Sequence, residues 1–182
     1  MFNFRKKRWI KQLAGLGKES FICNPRVISN PQKIMIGNNV KILDNARLSI
    51  YADDTDEIAV QIDDGCYIGY NFSILAKDKI HIERGVLIAS NVIITSENHG
   101  IDPESDKYYM DQPLSGGAVV IGEGSWIGEK VCILPGVTIG KKCVIGAGSV
   151  VTKSVPDYCI VGGNPARILK KYDFEQHTWK RV

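Results

Sequence analysis

The chain has 182 residues, 24% of them charged, a formal net charge of +3 and five cysteines. That length suits one well-buried core; the charge is too small and too scattered to argue for nucleic acid, and no stretch approaches the ~20 apolar residues of a membrane span. The cysteines show no CxxC pair and no metal-ligand spacing, so they read as reduced thiols of a cytoplasmic protein with no metal site.

Residues 1–20 read as an N-terminal arm. Its basic cluster, Arg5 to Arg8, is flanked by Phe2, Phe4 and Trp9. The run that follows is broken by Lys11, Lys18 and Glu19, which does not fit a signal peptide. A solvated arm is the plain reading; weak contact with an anionic membrane surface is the alternative.

From residue 21 onward the apolar residues recur every sixth position. Ile22, Ile28 and Ile34 form a weak first set, followed by Ile36, Ile42 and Leu48. Then come Ile62, Ile68 and Ile74, and next Ile82, Ile88 and Ile94. The clearest run is Ile121, Ile127, Ile133, Ile139, Ile145 and Val151, four of them followed directly by glycine. A helix needs apolar returns at three and four, and a simple strand at two. A period of six instead fits short strands separated by tight corners, three sides to a coil. The expectation is an all-β parallel β-helix of about five coils between Ile36 and Pro156, over residues 21–163. Loops leave such a coil at its corners, and two large breaks stand out, at 49–61 and 95–120. The first is acidic, with Asp53, Asp54, Asp56 and Glu57; the second contains Asn98-His99-Gly100-Ile101-Asp102. Cys66 and Cys143 fall at the small inward position and read as core thiols. Asn164-Pro165 looks like a helix start, so residues 164–182 are expected to form a C-terminal helix.

Ile121-Gly-Glu-Gly-Ser-Trp-Ile-Gly128, Ile133-Leu-Pro-Gly-Val-Thr-Ile-Gly140, Val144-Ile-Gly-Ala-Gly-Ser-Val-Val-Thr-Lys153 and Gly162-Gly-Asn-Pro-Ala-Arg167 resemble the hexapeptide-repeat acyltransferases. The pattern is most like that of the maltose and galactoside O-acetyltransferases and the polysaccharide O-acetyltransferases. The resemblance implies a left-handed coil, a homotrimer with active sites between subunits, and acetyl-CoA as donor. It places the general base on His99, whose residue type suits removal of a proton from a hydroxyl near neutral pH. It also places the cofactor along Trp126, Gly128, Glu129, Ala147 and Thr152, with Lys153, Arg167 and Lys170 toward its phosphates. On the acceptor side the family's contacts fall on Gly69 and Lys77 here, and Asn71 is a candidate substitute. The implied reaction is O-acetylation of a sugar or polysaccharide precursor. N-acetylation of an amino-sugar nucleotide and acetylation of an antibiotic are the alternatives. A hydratase built on the same prism needs three converging histidines, whereas His81, His99 and His177 are at least eighteen residues apart.

Overall fold

The structure is a computed structural model describing residues 9–52 and 57–182. The residues proposed for membrane contact, apart from Trp9, lie outside that range, as do Asp53, Asp54 and Asp56. Among the described residues no helix is long and apolar enough to cross a membrane.

Short strands stack into three parallel faces of a prism. The first face runs through Gly15–Leu16, Ile34–Ile36, Val60–Ile62, Ile80–Ile82, Val119–Ile121 and Thr138–Ile139. The second runs through Phe21–Ile22, Lys41–Ile42, Tyr67–Ile68, Leu87–Ile88, Trp126–Ile127, Val144–Ile145 and Cys159–Gly163. The third holds Val27–Ile28, Arg47–Ile50, Ser73–Ala76, Ile93–Thr95, Cys132–Ile133 and Val150–Val151. Five coils thus lie between Ile34 and Val151, and a further one precedes them. That earlier coil begins at Gly15, which pairs with Met35, so the prism starts inside the stretch read as an arm.

The period of six has a direct structural meaning. On the second face Ile22, Ile42, Ile68, Ile88, Ile127, Ile145 and Val161 sit in register, one above another. Ile36, Ile62, Ile82, Ile121 and Ile139 do the same on the first face. On the third the column is Ile28, Leu48, Ile74, Ile94, Ile133 and Val151. From Ile36 onward these columns are buried, and each side chain removed from water contributes about 1.5–3 kcal/mol. The compact residues between them, including Cys66, Ser125, Val131, Cys143 and Ser149, fill the corners from inside. Burial pushes the Cys66 thiol up to about 11, consistent with a core side chain rather than a nucleophile.

Most of the tight corners hold one residue with positive φ. At the edge joining the second face to the third, that residue is asparagine in three successive coils: Asn45, Asn71 and Asn91, with φ of 67°, 56° and 61°. Asparagine tolerates this conformation. The side chains also form a ladder: Asn45 Nδ2 donates to Asn71 Oδ1 at 2.7 Å, and Asn71 Nδ2 to Asn91 Oδ1 at 3.1 Å.

The expected C-terminal helix is absent. Ala166–Asp173 returns antiparallel to Cys159–Gly163, and Thr178–Arg181 adds a further antiparallel strand. The Asn164–Pro165 peptide is cis and lies in the hairpin turn instead of capping a helix. The physical reason is the open hydrogen-bonding edge left by the last strand of the second face, which a returning strand satisfies and a helix would not. Alternation of half-buried Ala166, Ile168, Lys170 and Tyr172 with exposed Arg167, Leu169 and Lys171 is the signal that reports it. Edge-to-face packing of Tyr158 on Phe174, Phe174 on Tyr172 and Tyr172 on Trp179 holds the hairpin together.

Candidate active site

The insertions all leave the prism along the edge where the third face turns back into the first. The chain departs there after Ile50, Ala76 and Thr95, and rejoins the first face at Val60, Ile80 and Val119. The longest of them carries His99. Its neck is a short antiparallel ladder in which Glu97 faces Gly116 and Asn98 faces Ser115. Fully buried Ser96 anchors that neck to the preceding coil: its hydroxyl donates to Asp78 O at 2.6 Å and accepts from Asp78 N–H at 3.2 Å. The His99 imidazole, one residue past the neck, is exposed. Lys77 occupies the same edge one coil earlier, beside Asp78 at 4.0 Å.

Asp102, three residues past His99, is committed in part within the loop, since its Oδ1 accepts from Glu104 N–H at 2.9 Å.

A second set of residues gathers on the second face and the edge that follows it. Trp126 points outward and is 50% exposed. In register above it stand Val144, Ile160 and then Lys170, which is paired in turn with Arg181. Three strand spacings separate Trp126 from Lys170, a span of about 14 Å. Alongside runs a line of residues with little or no side chain: Gly69, Ala89, Gly128, Gly146 and Gly162. Gly128 is required by close approach, because a Cβ there would lie 2.8 Å from Ala147 N and 2.7 Å from Ile145 O. Little side chain stands over the backbone of this strip, which is half-buried at Ala89, Gly146 and Gly162 and buried against the next coil at Gly69 and Gly128. Arg167 sits opposite Gly162 near its far end, exposed, with Nη1 donating to Ala166 O at 3.0 Å.

Not every expected residue converges. The Glu129 carboxylate turns back along the edge, accepting from Asn91 Nδ2 at 2.8 Å and from Ser90 N–H at 3.3 Å. Asn71 belongs to the asparagine ladder of that same edge, whereas Lys77 lies at the other end of the strand Ser73–Ala76. Thr152 and Lys153 are exposed at the His99 edge, two coils further on, and not beside Trp126. A shallow groove of about 500 Å³ along the remaining edge, with Asp64, Arg84, Glu123 and Lys142 in its wall, contains none of the expected site residues. Sequence reasoning missed Arg181, whose place beside Lys170 depends on the hairpin, and Gln112, which carries no motif. Among the described residues no group of three His, Cys, Asp or Glu side chains is placed to hold a metal ion.

Comparison with known proteins decides what kind of enzyme this surface belongs to. Residues 118–153 match the bacterial transferase hexapeptide family of six repeats, and residues 59–96 the hexapeptide repeat of succinyl-transferase. The chain is 34% identical over 172 residues to WbbJ of Escherichia coli, assigned as a lipopolysaccharide biosynthesis O-acetyl transferase; the match covers 89% of this chain and 87% of WbbJ. It belongs to the hexapeptide-repeat acetyltransferase family. This acetyltransferase is also similar to a solved hexapeptide-repeat acetyltransferase of Vibrio cholerae complexed with acetyl coenzyme A. That likeness has a TM-score of 0.61 and 25% identity, over 95% of this chain and 80% of the other. AntD, an N-acyltransferase from Bacillus cereus solved with dTDP and 3-hydroxybutyryl-CoA, shares the fold with a TM-score of 0.77. Its identity is 23%, over 96% of this acetyltransferase and 92% of AntD.

Proposed function

We propose that this acetyltransferase is a cytoplasmic, left-handed β-helix homotrimer that moves an acetyl group from acetyl-CoA to a hydroxyl of a sugar or polysaccharide precursor. The observation supporting this reading is that the candidate residues fall on two separate edges of one prism. The His99 loop leaves the edge between the third and first faces, while the Trp126 strip lies on the second face. A base and a donor on different edges meet when a neighbouring prism supplies one of them, which is the arrangement of a closed symmetric assembly. The relationship to WbbJ supports the O-acetyl reading.

In the proposed reaction the pantetheine arm lies along the backbone strip, with Trp126 as an apolar wall. The span of about 14 Å from Trp126 to Lys170 suits an arm of that length, placing the phosphates near Arg167, Lys170 and Arg181. His99 takes the proton of the acceptor hydroxyl as its oxygen attacks the thioester carbonyl. The tetrahedral intermediate collapses with cleavage of the C–S bond, and the imidazolium returns its proton to the departing CoA thiolate. Lys77, on the edge of the His99 loop, is the better placed of the two acceptor candidates. N-acylation of an amino-sugar nucleotide is the second reading, favoured by the shared fold with AntD.

The deciding experiment is an acceptor screen with acetyl-CoA in which release of free thiol is followed. Sugars, sugar nucleotides, amino-sugar nucleotides and chloramphenicol are compared; turnover with hydroxyl sugars is expected, and turnover confined to amino sugars replaces the first reading with the second. Arg167→Ala should raise KM for acetyl-CoA about tenfold, the loss of one charge-assisted contact, with KM for the acceptor unchanged. Steady-state kinetics varying each substrate in turn checks this, and equal effects on both constants remove Arg167 from the donor site.

A further inference from the structure

The loop that carries His99 contains a buried polar side chain that the proposed chemistry does not use. Gln112 is 6% exposed, and its carboxamide is satisfied entirely by loop backbone. Oε1 accepts from Asp102 N–H at 3.0 Å, while Nε2 donates to Asp102 O at 2.9 Å and to Lys107 O at 3.1 Å. The side chain thus grips Asp102 at both its N–H and its C=O, much as a neighbouring strand would, and ties that residue to Lys107. A buried amide with all of these bonds made holds its partners in one arrangement; with one partner removed, the rest are left unsatisfied.

A second observation connects this grip to the imidazole. Gly100, the residue after His99, lies against Gln112: a Cβ at position 100 would stand 2.6 Å from Gln112 Cβ and 2.7 Å from Oε1. His99 is therefore bounded on one side by the Glu97–Asn98 neck and on the other by a residue packed onto Gln112. Asp102, three residues on, is within about 11 Å of His99 along the chain.

We propose that Gln112 is the positioning residue for His99: it fills the inside of the 98–112 loop and fixes the imidazole through Gly100 and Asp102. Its action is on geometry, not on substrate, so its loss shows in the chemical step. This rests on His99 being the base. A displacement of about 1 Å in a base costs on the order of a hundredfold in rate, while the prism and the donor strip stand on separate contacts.

The test compares Gln112→Met, of similar length without hydrogen bonds, with Gly100→Ala, which presses on Gln112 from the other side, and with His99→Ala. For both loop variants kcat should fall about 10–100-fold, KM for acetyl-CoA should stay within about twofold, and the melting temperature should stay near that of the parent protein. Gln112→Glu keeps one acceptor but sets a carboxylate oxygen against two carbonyls, and should lose at least as much as Gln112→Met. Unchanged kcat in Gln112→Met beside an inactive His99→Ala protein overturns this inference alone. So does a kcat loss accompanied by a rise in KM for acetyl-CoA and a large fall in melting temperature, the mark of general unfolding. An active His99→Ala protein overturns the assignment of the base, and the role of Gln112 with it.

Discussion

Replacing His99 by alanine should lower kcat for acetyl transfer by about a thousandfold, within the range for removal of a general base, and leave the fold untouched. The side chain is exposed on a loop that leaves the edge of the prism, so the substitution empties no part of the core. The acceptor hydroxyl should then have no positioned group to take its proton, while the proposed donor strip at Trp126 is untouched. KM for acetyl-CoA should accordingly change little, and light scattering should give the same particle as the parent protein, a trimer. Retention of more than a tenth of the activity would remove His99 from the mechanism.

The same variant tests whether sites are shared between chains. If His99 of one chain works on donor bound to its neighbour, His99→Ala can be mixed with an Arg167→Ala/Lys170→Ala chain, at low acetyl-CoA. Each site then draws its two halves at random, and about a quarter of the parent activity should return in mixed trimers. No recovery would mean that both halves of a site come from one chain.

The second large effect concerns stability. Phe72 is fully buried at a corner position, stacked between the slots of Ala46 and Val92 in the adjoining coils. Most slots of this kind hold a smaller residue, as at Ala46, Val92, Val131 and Ser149. Phe72→Ala should cost about 3–5 kcal/mol, the transfer term plus the cavity left in a rigid stack. For a chain of this length the midpoint of thermal unfolding should fall by about 6–20 °C at equal protein concentration. A loss below about 1 kcal/mol in denaturant unfolding would mean that neighbouring coils close the space.

Several features could be read without the structure because they depend only on local chemistry. Ile121, Ile127 and Ile133 announce their inward direction by spacing alone: a strand of two residues and a corner of four is a repeating unit whose geometry is complete within six residues. The loop containing His99 is legible for the same reason, as a break in that phase. The first coil was only faintly marked. The turn at Pro31–Lys33 shifts the phase by two, so Ile36 takes the column position and Ile34 adds a second buried residue to that strand.

The departures lie where distant residues decide. Ala166 to Asp173 follows an acceptable helix start at Asn164-Pro165, yet forms a strand because Cys159–Gly163 offers an unpaired edge beside it. That edge exists only once the coils have stacked. With the hairpin in place, Lys170 joins the column of Trp126, Val144 and Ile160, and Arg181 joins Lys170. Glu129 and Asn71 are drawn into a side-chain ladder by coils up to 38 residues away. Residue types and spacing by themselves determined the β-helix, its corners and the family to which its motifs belong, since each rests on interactions within a single coil. Only the stacked structure decided the strand at the C-terminus, the placement of the candidate site residues on two edges and the grip of Gln112 on the His99 loop, because each depends on how the coils and their loops close on one another.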